Sequence, residues 1–225
     1  CLVGSEMCIR DRSKIATEHN LPILGVNIGT MGFIAELEAG EIELLRKIPK
    51  GDYTVEERTM LDVSVGNGRQ TLFHETALND AVITKGAIAR VVQLGIYCDG
   101  IEATSYSGDG VILCTPTGST AYALSVGGPM IYPSVACTLL IPVAPHSLAN
   151  RPIVIPENSL IEITVTDMRD ATLYFDMQDN SEVLVGDIIK ASPYPHRVKI
   201  LHPSRHNYFD TLCKKLHWNY LPTDR

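Results

Sequence analysis

Along the 225-residue chain the apolar residues fall mostly into short runs set off by Gly, Pro, Asn and Asp, the texture of strands and turns rather than long helices. Ser13 to His19 reads as the end of a helix. Ile23 to Asn27 (ILGVN), between Pro22 and Gly29, suits a short buried parallel strand. Gly29 and Gly32 then bracket a tight turn, and a helix is predicted around Glu41 to Lys47, completing half of a βαβ unit. Beyond Gly51 the texture turns to β. Tyr53 to Val65, Thr71 to Thr84, Val91 to Asp99 and Glu102 to Tyr106 are predicted strands, and Asp99-Gly100 is a hairpin dipeptide. Val111 to Thr115 is another strand, followed by a short helix over Ser119 to Val126 that ends at Gly127-Gly128. Further strands are predicted over Thr138 to Val143, Leu160 to Val165, Thr172 to Phe175, Asp187 to Ala191 and Lys199 to His202. Apolar positions 208, 209, 212 and 216 predict a closing helix over Tyr208 to Trp218.

These elements assemble into a mixed α/β and α+β architecture. Residues 13–52 read as the remnant of a Rossmann-like α/β domain and 53–203 as a mostly antiparallel β domain. Residues 204–225 form a helix and tail returning to the first domain. The first twelve residues, CLVGSEMCIRDR, show neither helical nor strand periodicity and lack the apolar core of a signal peptide. They resemble the translation of a sequencing adapter and are set aside as a scar, so the natural chain is expected to continue upstream of Ser13.

Composition narrows the function classes. The chain is 45% hydrophobic and 20% charged, with a net charge of −7 and a pI near 5.5. Removing Arg10, Arg12, Glu6 and Asp11 with the scar leaves 17 basic against 24 acidic residues, so the acid excess persists. An acidic chain is a poor nucleic-acid binder. No run approaches the roughly 20 apolar residues of a membrane span; the longest, Val135 to Val143, contains Thr138 and Pro142 and reads as a buried strand. Cysteines at 1, 8, 98, 114, 137 and 213 form no CxxC pair, which fits reduced thiols and a cytoplasmic protein.

Candidate chemistry concentrates in Ser107-Gly-Asp-Gly-Val-Ile-Leu-Cys-Thr-Pro-Thr-Gly-Ser-Thr-Ala-Tyr122. Here Asp109 sits in a glycine turn before an apolar strand, and Thr115-Pro116-Thr117-Gly118 leads into a helix. Gly118 would let a ligand approach the backbone, while hydroxyls and free N–H groups of the helix start would supply donors. Tyr122 offers a face for a nucleobase, and Asp109 an acceptor for a ribose or amide. A capped strand–helix turn with Tyr122 in the core is the plainer alternative. Leu78-Asn79-Asp80 before an apolar strand is, by itself, most simply a turn. His146, between Pro145 and Pro152, is read as structural. Ser119 lacks the GxSxG context of a nucleophile elbow.

Taken in order, these segments resemble the NAD kinase family. The matching stretches are Gly25-Val-Asn-Ile-Gly-Thr-Met-Gly-Phe33, Leu78-Asn79-Asp80, Gly108 to Tyr122, Gly127-Gly128-Pro129, Pro145-His146-Ser147-Leu148 with Arg151-Pro152, and Leu216-His217-Trp218. The resemblance implies transfer of the ATP γ-phosphoryl group to the 2′-hydroxyl of the adenosine ribose of NAD, giving NADP. A divalent metal such as Mg and a homodimer or homotetramer with shared sites are implied as well. By position, Asn79 and Asp80 match a pair holding the adenosine part, and Asp109 an acid contacting the nicotinamide end. Thr120, Ala121, Tyr122, Ala123, Leu124 and Ser125 match the stretch lining the dinucleotide. Gln178 matches a glutamine reaching the ligand, and Arg90 a basic residue touching it.

Three departures matter. Asp80 stands for a Glu and is one methylene shorter. Asp176-Met177-Gln178 stands for Asp-Gly-Gln. The family's Gly-Gly-Asp-Gly turn, which cradles phosphates and carries the catalytic acid, occurs nowhere in the chain and would lie just before Ser13. The chain as written is therefore expected to make no NADP, to leave a strand edge unpaired at Ile23 to Asn27 and to aggregate readily. A lipid-type kinase of the same superfamily and a non-catalytic dinucleotide-binding or oligomerisation module are the competing readings.

Overall fold

The computed structural model describes residues 6–27, 32–35, 37–85, 91–167, 171–203 and 207–216. They divide into two compact units, one of residues 1–57 with 198–225, the other of residues 58–197.

In the first unit a helix spans Glu6–Glu18. It takes in Glu6 to Arg12, which showed no periodicity in the sequence. Among the described side chains its buried face is Ile9, Ser13, Ala16 and Thr17, at helical spacing but with one large aliphatic residue, so the stripe is nearly invisible to hydropathy. The hydroxyls are satisfied within the helix: Ser13 donates to the Arg10 carbonyl and Thr17 to that of Ser13. Residues 23–27 are all buried as expected, but the regular strand is only β1 (Val26–Asn27), paired parallel with β2 (Leu37–Glu38). Ile23 adds a parallel bridge to Ile200. The predicted helix after it is a 3₁₀ segment, Ala39–Lys50. Strand β3 (Tyr53–Arg58) pairs with Val198–Pro203, which places both with this unit. The helix Tyr208–Leu216 buries Tyr208 and Leu212 and leaves Phe209 exposed. Its Lys215 and the Asn27 carboxamide both reach the Glu38 carboxylate, at 3.0 Å.

The second unit is a sandwich of two antiparallel sheets. Its strands are β4 (Leu61–Gly66), β5 (Thr71–Ala77), β6 (Asp80–Lys85), β7 (Val92–Cys98), β8 (Ile101–Gly108), β9 (Gly110–Cys114), β10 (Cys137–Val143), β11 (Ile153–Pro156), β12 (Ile161–Val165), β13 (Ala171–Phe175), β14 (Asp179–Val183) and β15 (Ile188–Pro193). The first sheet runs β5-β4-β15-β12-β7-β8 and the second β11-β10-β9-β6-β13-β14. Alternate residues of both, such as Val63, Ile96, Ile163 and Ile189 against Ile83, Leu113, Leu140 and Leu173, fill the core between them. The second sheet is covered on its outer face too: Val82, Ile112, Cys114, Leu139 and Ile141 pack there with Ala123. Double coverage explains the unbroken apolar run of β9, buried at every position. The Asp99-Gly100 turn joins β7 and β8 with φ of 52° and 78°, as its hairpin dipeptide requires.

The predicted run from Thr71 to Thr84 is two strands. The chain leaves the first sheet at Ala77 and enters the second at Asp80, crossing at Leu78-Asn79. A second crossing falls between β8 and β9, at Asp109. Strands β11 and β14 went unpredicted. Both are sheet edges, one following Arg151-Pro152 and exposing Ile153 and Val154, the other reading Asp-Asn-Ser-Glu-Val.

Candidate functional site

Most of the polar residues singled out in the sequence lie at or beside two of the chain's passages between the sheets. At the first, the register pairs Asp80 with Cys114 and Phe175 with both Ala81 and Asp179. One sheet end thus brings together Asn79-Asp80, the Thr115 to Gly118 turn and the β13–β14 turn containing Asp176 and Gln178.

Asp176 organises this end. Its carboxylate accepts three backbone N–H bonds, from Leu78 at 3.0 Å, Asn79 at 2.7 Å and Asp80 at 3.1 Å. Its own N–H donates to the Asp80 carbonyl. Asp176 and Met177 both have positive φ, 48° and 59°. Asp tolerates this region well; Met does not, and a glycine at 177 would sit there without strain. Thr115 ties the other side, donating its hydroxyl to the Leu78 carbonyl at 2.6 Å and its N–H to that of Asn79 at 2.9 Å.

Gly118 has a different reason from the one expected. A Cβ there would lie 2.6 Å from the Asn79 carbonyl carbon and closer still to its oxygen. The space is therefore filled by the crossing itself rather than by a ligand. Nor is there one helix after it: a 3₁₀ turn, Thr117–Thr120, and a single α-turn, Tyr122–Ser125, meet at Ala121. The N–H groups expected to be free are used, Gly118 on the Thr115 hydroxyl and Ser119 on the Pro116 carbonyl.

Within Thr120 to Ser125 the side chains diverge. Tyr122 is 36% exposed, so it is available as a stacking face rather than lost in the core. Ala123 is fully buried in the outer apolar cluster and Thr120 is half-buried, bonded to the Thr117 carbonyl. Ala121 and Leu124 are half-buried, and Ser125 is exposed. Asn79 is 4% exposed, and its Oδ1, like the Nε2 of Gln178, is buried with no hydrogen-bond partner in the protein. Unpaired buried polar atoms are costly, which makes this end a candidate ligand site. By strand alternation Asp80 shares the outer face with Val82 and Cys114. Burial, with the nearby Asp80 and Asp176 carboxylates, pushes the Cys114 thiol well up.

The second crossing holds Asp109. Gly108 and Gly110 flank it because the backbone is crowded there: a Cβ on Gly108 would lie 2.9 Å from the Val143 carbonyl oxygen. Asp109 is not free. Its Oδ1 accepts from Lys85 Nζ at 2.7 Å, a partner that sequence reading missed because Lys85 carries no motif. In the register Asp80 faces Cys114 and Thr84 faces Gly110, so the two crossings lie about 15 Å apart along β6 and β9. Arg90 lies outside the described residues. His146 is exposed, and its backbone N–H donates to the Ser107 carbonyl. Among the described residues no group of three or more His, Cys, Asp or Glu comes together to hold a metal ion.

Similarity to known proteins places the chain in a family. A family model described as the ATP-NAD kinase C-terminal domain matches residues 78–202. The NAD kinase of Cupriavidus pinatubonensis is 41% identical over 224 residues, covering 99% of this chain and 73% of that protein. That of Ralstonia nicotianae is 41% identical over 206 residues, covering 91% and 68%. Among solved structures, yeast NADH kinase complexed with NADH superposes with a TM-score of 0.90 at 26% identity, over 97% of this chain and 65% of that one. An NAD kinase from Archaeoglobus fulgidus in complex with ATP gives a TM-score of 0.75 at 26% identity, over 96% and 81%. The chain belongs to the NAD kinase family, a family of phosphotransferases.

Proposed function

We propose that the protein phosphorylates the 2′-hydroxyl of the adenosine ribose of NAD, with ATP as donor, and that this chain carries its dinucleotide site. The dinucleotide bridges the two crossings, adenosine at Asn79-Asp80 and nicotinamide toward Asp109. The observation that supports this most directly is the pairing of unpartnered Asn79 Oδ1 and Gln178 Nε2 at one crossing with an acid about 15 Å away at the other. That span suits two linked nucleotides and exceeds one.

The Asn79 carboxamide and the Asp80 carboxylate accept bonds from ribose hydroxyls, while Asp176 holds the backbone beneath both. Gln178 donates to the ligand from the facing turn, and Tyr122 supplies a stacking face for a base. Phosphoryl transfer depends on positioning and charge neutralisation. A divalent ion such as Mg²⁺, held on the phosphates of ATP, would supply the charge neutralisation. Residues of a Gly-Gly-Asp-Gly turn are not in this sequence. The chain as written binds NAD without turning it over. A homodimer or homotetramer in the cytoplasm is the setting that the family suggests.

Calorimetry of NAD with this chain and with Asn79→Ala, beside a coupled assay for NADP, tests the reading. Binding lost in the variant and no NADP from either is the expected pattern. NAD affinity untouched by Asn79→Ala refutes the site, and robust NADP formation by this chain refutes the assigned need for the missing turn.

A further inference from the structure

The Asp109 crossing carries two opposite charges where the family pattern drew attention to one. Lys85, the last residue of β6, places its ammonium 2.7 Å from Asp109 Oδ1. The pair is fixed by its backbone: Lys85 N–H donates to the Asp109 carbonyl at 3.0 Å, and the Thr84 hydroxyl donates to the same oxygen at 3.3 Å. Both side chains are about one-third exposed, 32% and 38%, so the pair faces solvent where a ligand can reach it.

The two redox forms of the dinucleotide differ at this end and nowhere else in charge. The oxidised nicotinamide ring is a cation; the reduced ring is neutral; sugars and phosphates are identical. A lone carboxylate would favour the cation by its Coulomb attraction. An ammonium bonded to that carboxylate cancels most of its field at the ring.

We propose that Lys85 is a specificity-determining residue: by neutralising Asp109 it makes the nicotinamide end accept oxidised and reduced dinucleotide with similar affinity. This rests on the reading that the nicotinamide lies at Asp109. The lysine acts on the ring only through the acid, and its effect on the shared phosphates cancels in the ratio of the two affinities.

The test is calorimetry of NAD⁺, NADH and ADP-ribose with the full chain, Lys85→Met, Lys85→Arg and Asp109→Ala at low salt. The wild-type affinities for NAD⁺ and NADH are expected to agree within about threefold. Lys85→Met should shift the ratio toward NAD⁺ by about five- to tenfold, the size of one unit charge removed near a protein surface. Lys85→Arg should restore the wild-type ratio, and 0.5 M salt should shrink the shift. ADP-ribose, which has no ring, isolates any phosphate contact: an equal loss for all three ligands in Lys85→Met overturns the proposal. So does an unchanged ratio in Lys85→Met when Asp109→Ala weakens both dinucleotides, and in that case the site reading survives. If neither variant alters any affinity, or the chain binds neither dinucleotide, the placement of the nicotinamide end is wrong and the proposal falls with it.

Discussion

Replacing Gly118 with Ala pushes a methyl group into backbone that has nowhere to go. The new Cβ would stand 2.6 Å from the Asn79 carbonyl carbon and 2.8 Å from its Cα. Ordinary contacts of this kind begin near 3.4 Å, so the Thr115 to Gly118 turn and the Leu78-Asn79 crossing must part by the better part of an ångström. Overpacking of this size costs about 1–3 kcal/mol. The separation also strains the two Thr115 bonds to Leu78 and Asn79, each contributing about 1 kcal/mol. A total near 3 kcal/mol lowers the melting temperature by about 6–12 °C in a chain of this length. Because Asn79 is displaced, NAD affinity in calorimetry should fall at least tenfold at temperatures where the variant is still folded. Gly40→Ala is the control: nothing lies within 4 Å of a Cβ there, and loss of unfolded-state freedom should make it neutral or stabilising by about 0.5 kcal/mol. A Gly118→Ala protein that melts within 2 °C of the parent would sink the reasoning. So would one that melts lower yet binds NAD as the parent does, since the crossing would then have stayed in place.

Other consequences can be checked separately. Asp176→Ala strips the acceptor from three backbone N–H groups; amide exchange at Leu78, Asn79 and Asp80 should accelerate beyond the average for the domain, with about 3–5 kcal/mol lost in urea unfolding. Met177→Gly removes a left-handed strain of about 1–2 kcal/mol and should raise the melting temperature by a few degrees. Glu38 is held below its ordinary value of 4.5, chiefly by its bond to Lys215 and then by that to Asn27. Its folded-state value is the lower one, so its contribution is present above pH 4.5 and fades as pH falls through the depressed folded value; a carboxyl titration by NMR should show that midpoint below 4.5. Cys114, buried and shifted up, should resist alkylation in the native protein while the half-buried Cys98 and Cys213 react.

What could be read in advance follows the range of the interaction. The Asp99-Gly100 hairpin and the β9 strand depend on neighbours a few residues away, and local pattern found them. The split of Thr71 to Thr84 depends on which sheet each half joins, which no local pattern records. Gly118 was visible as a glycine, but its neighbour is Asn79, thirty-nine positions back, so its purpose was misassigned to a ligand. Asp176 acts on Leu78 to Asp80 across nearly a hundred residues, and only the family resemblance drew attention to its tripeptide. Lys85 carries no motif and was missed. The amphipathic face of Glu6–Glu18 was hidden because serine, threonine and alanine do most of the packing.

The two crossings are separated by nothing but the paired lengths of β6 and β9. That makes those strands a ruler, and its graduations are hydrogen bonds. The hairpin tip at Asn67 to Gln70, elsewhere in the sandwich, can be lengthened without moving either mark. Deleting two residues from each of β6 and β9 would keep their alternation of faces yet draw the marks together by roughly 7 Å, a spacing graduated for a shorter ligand.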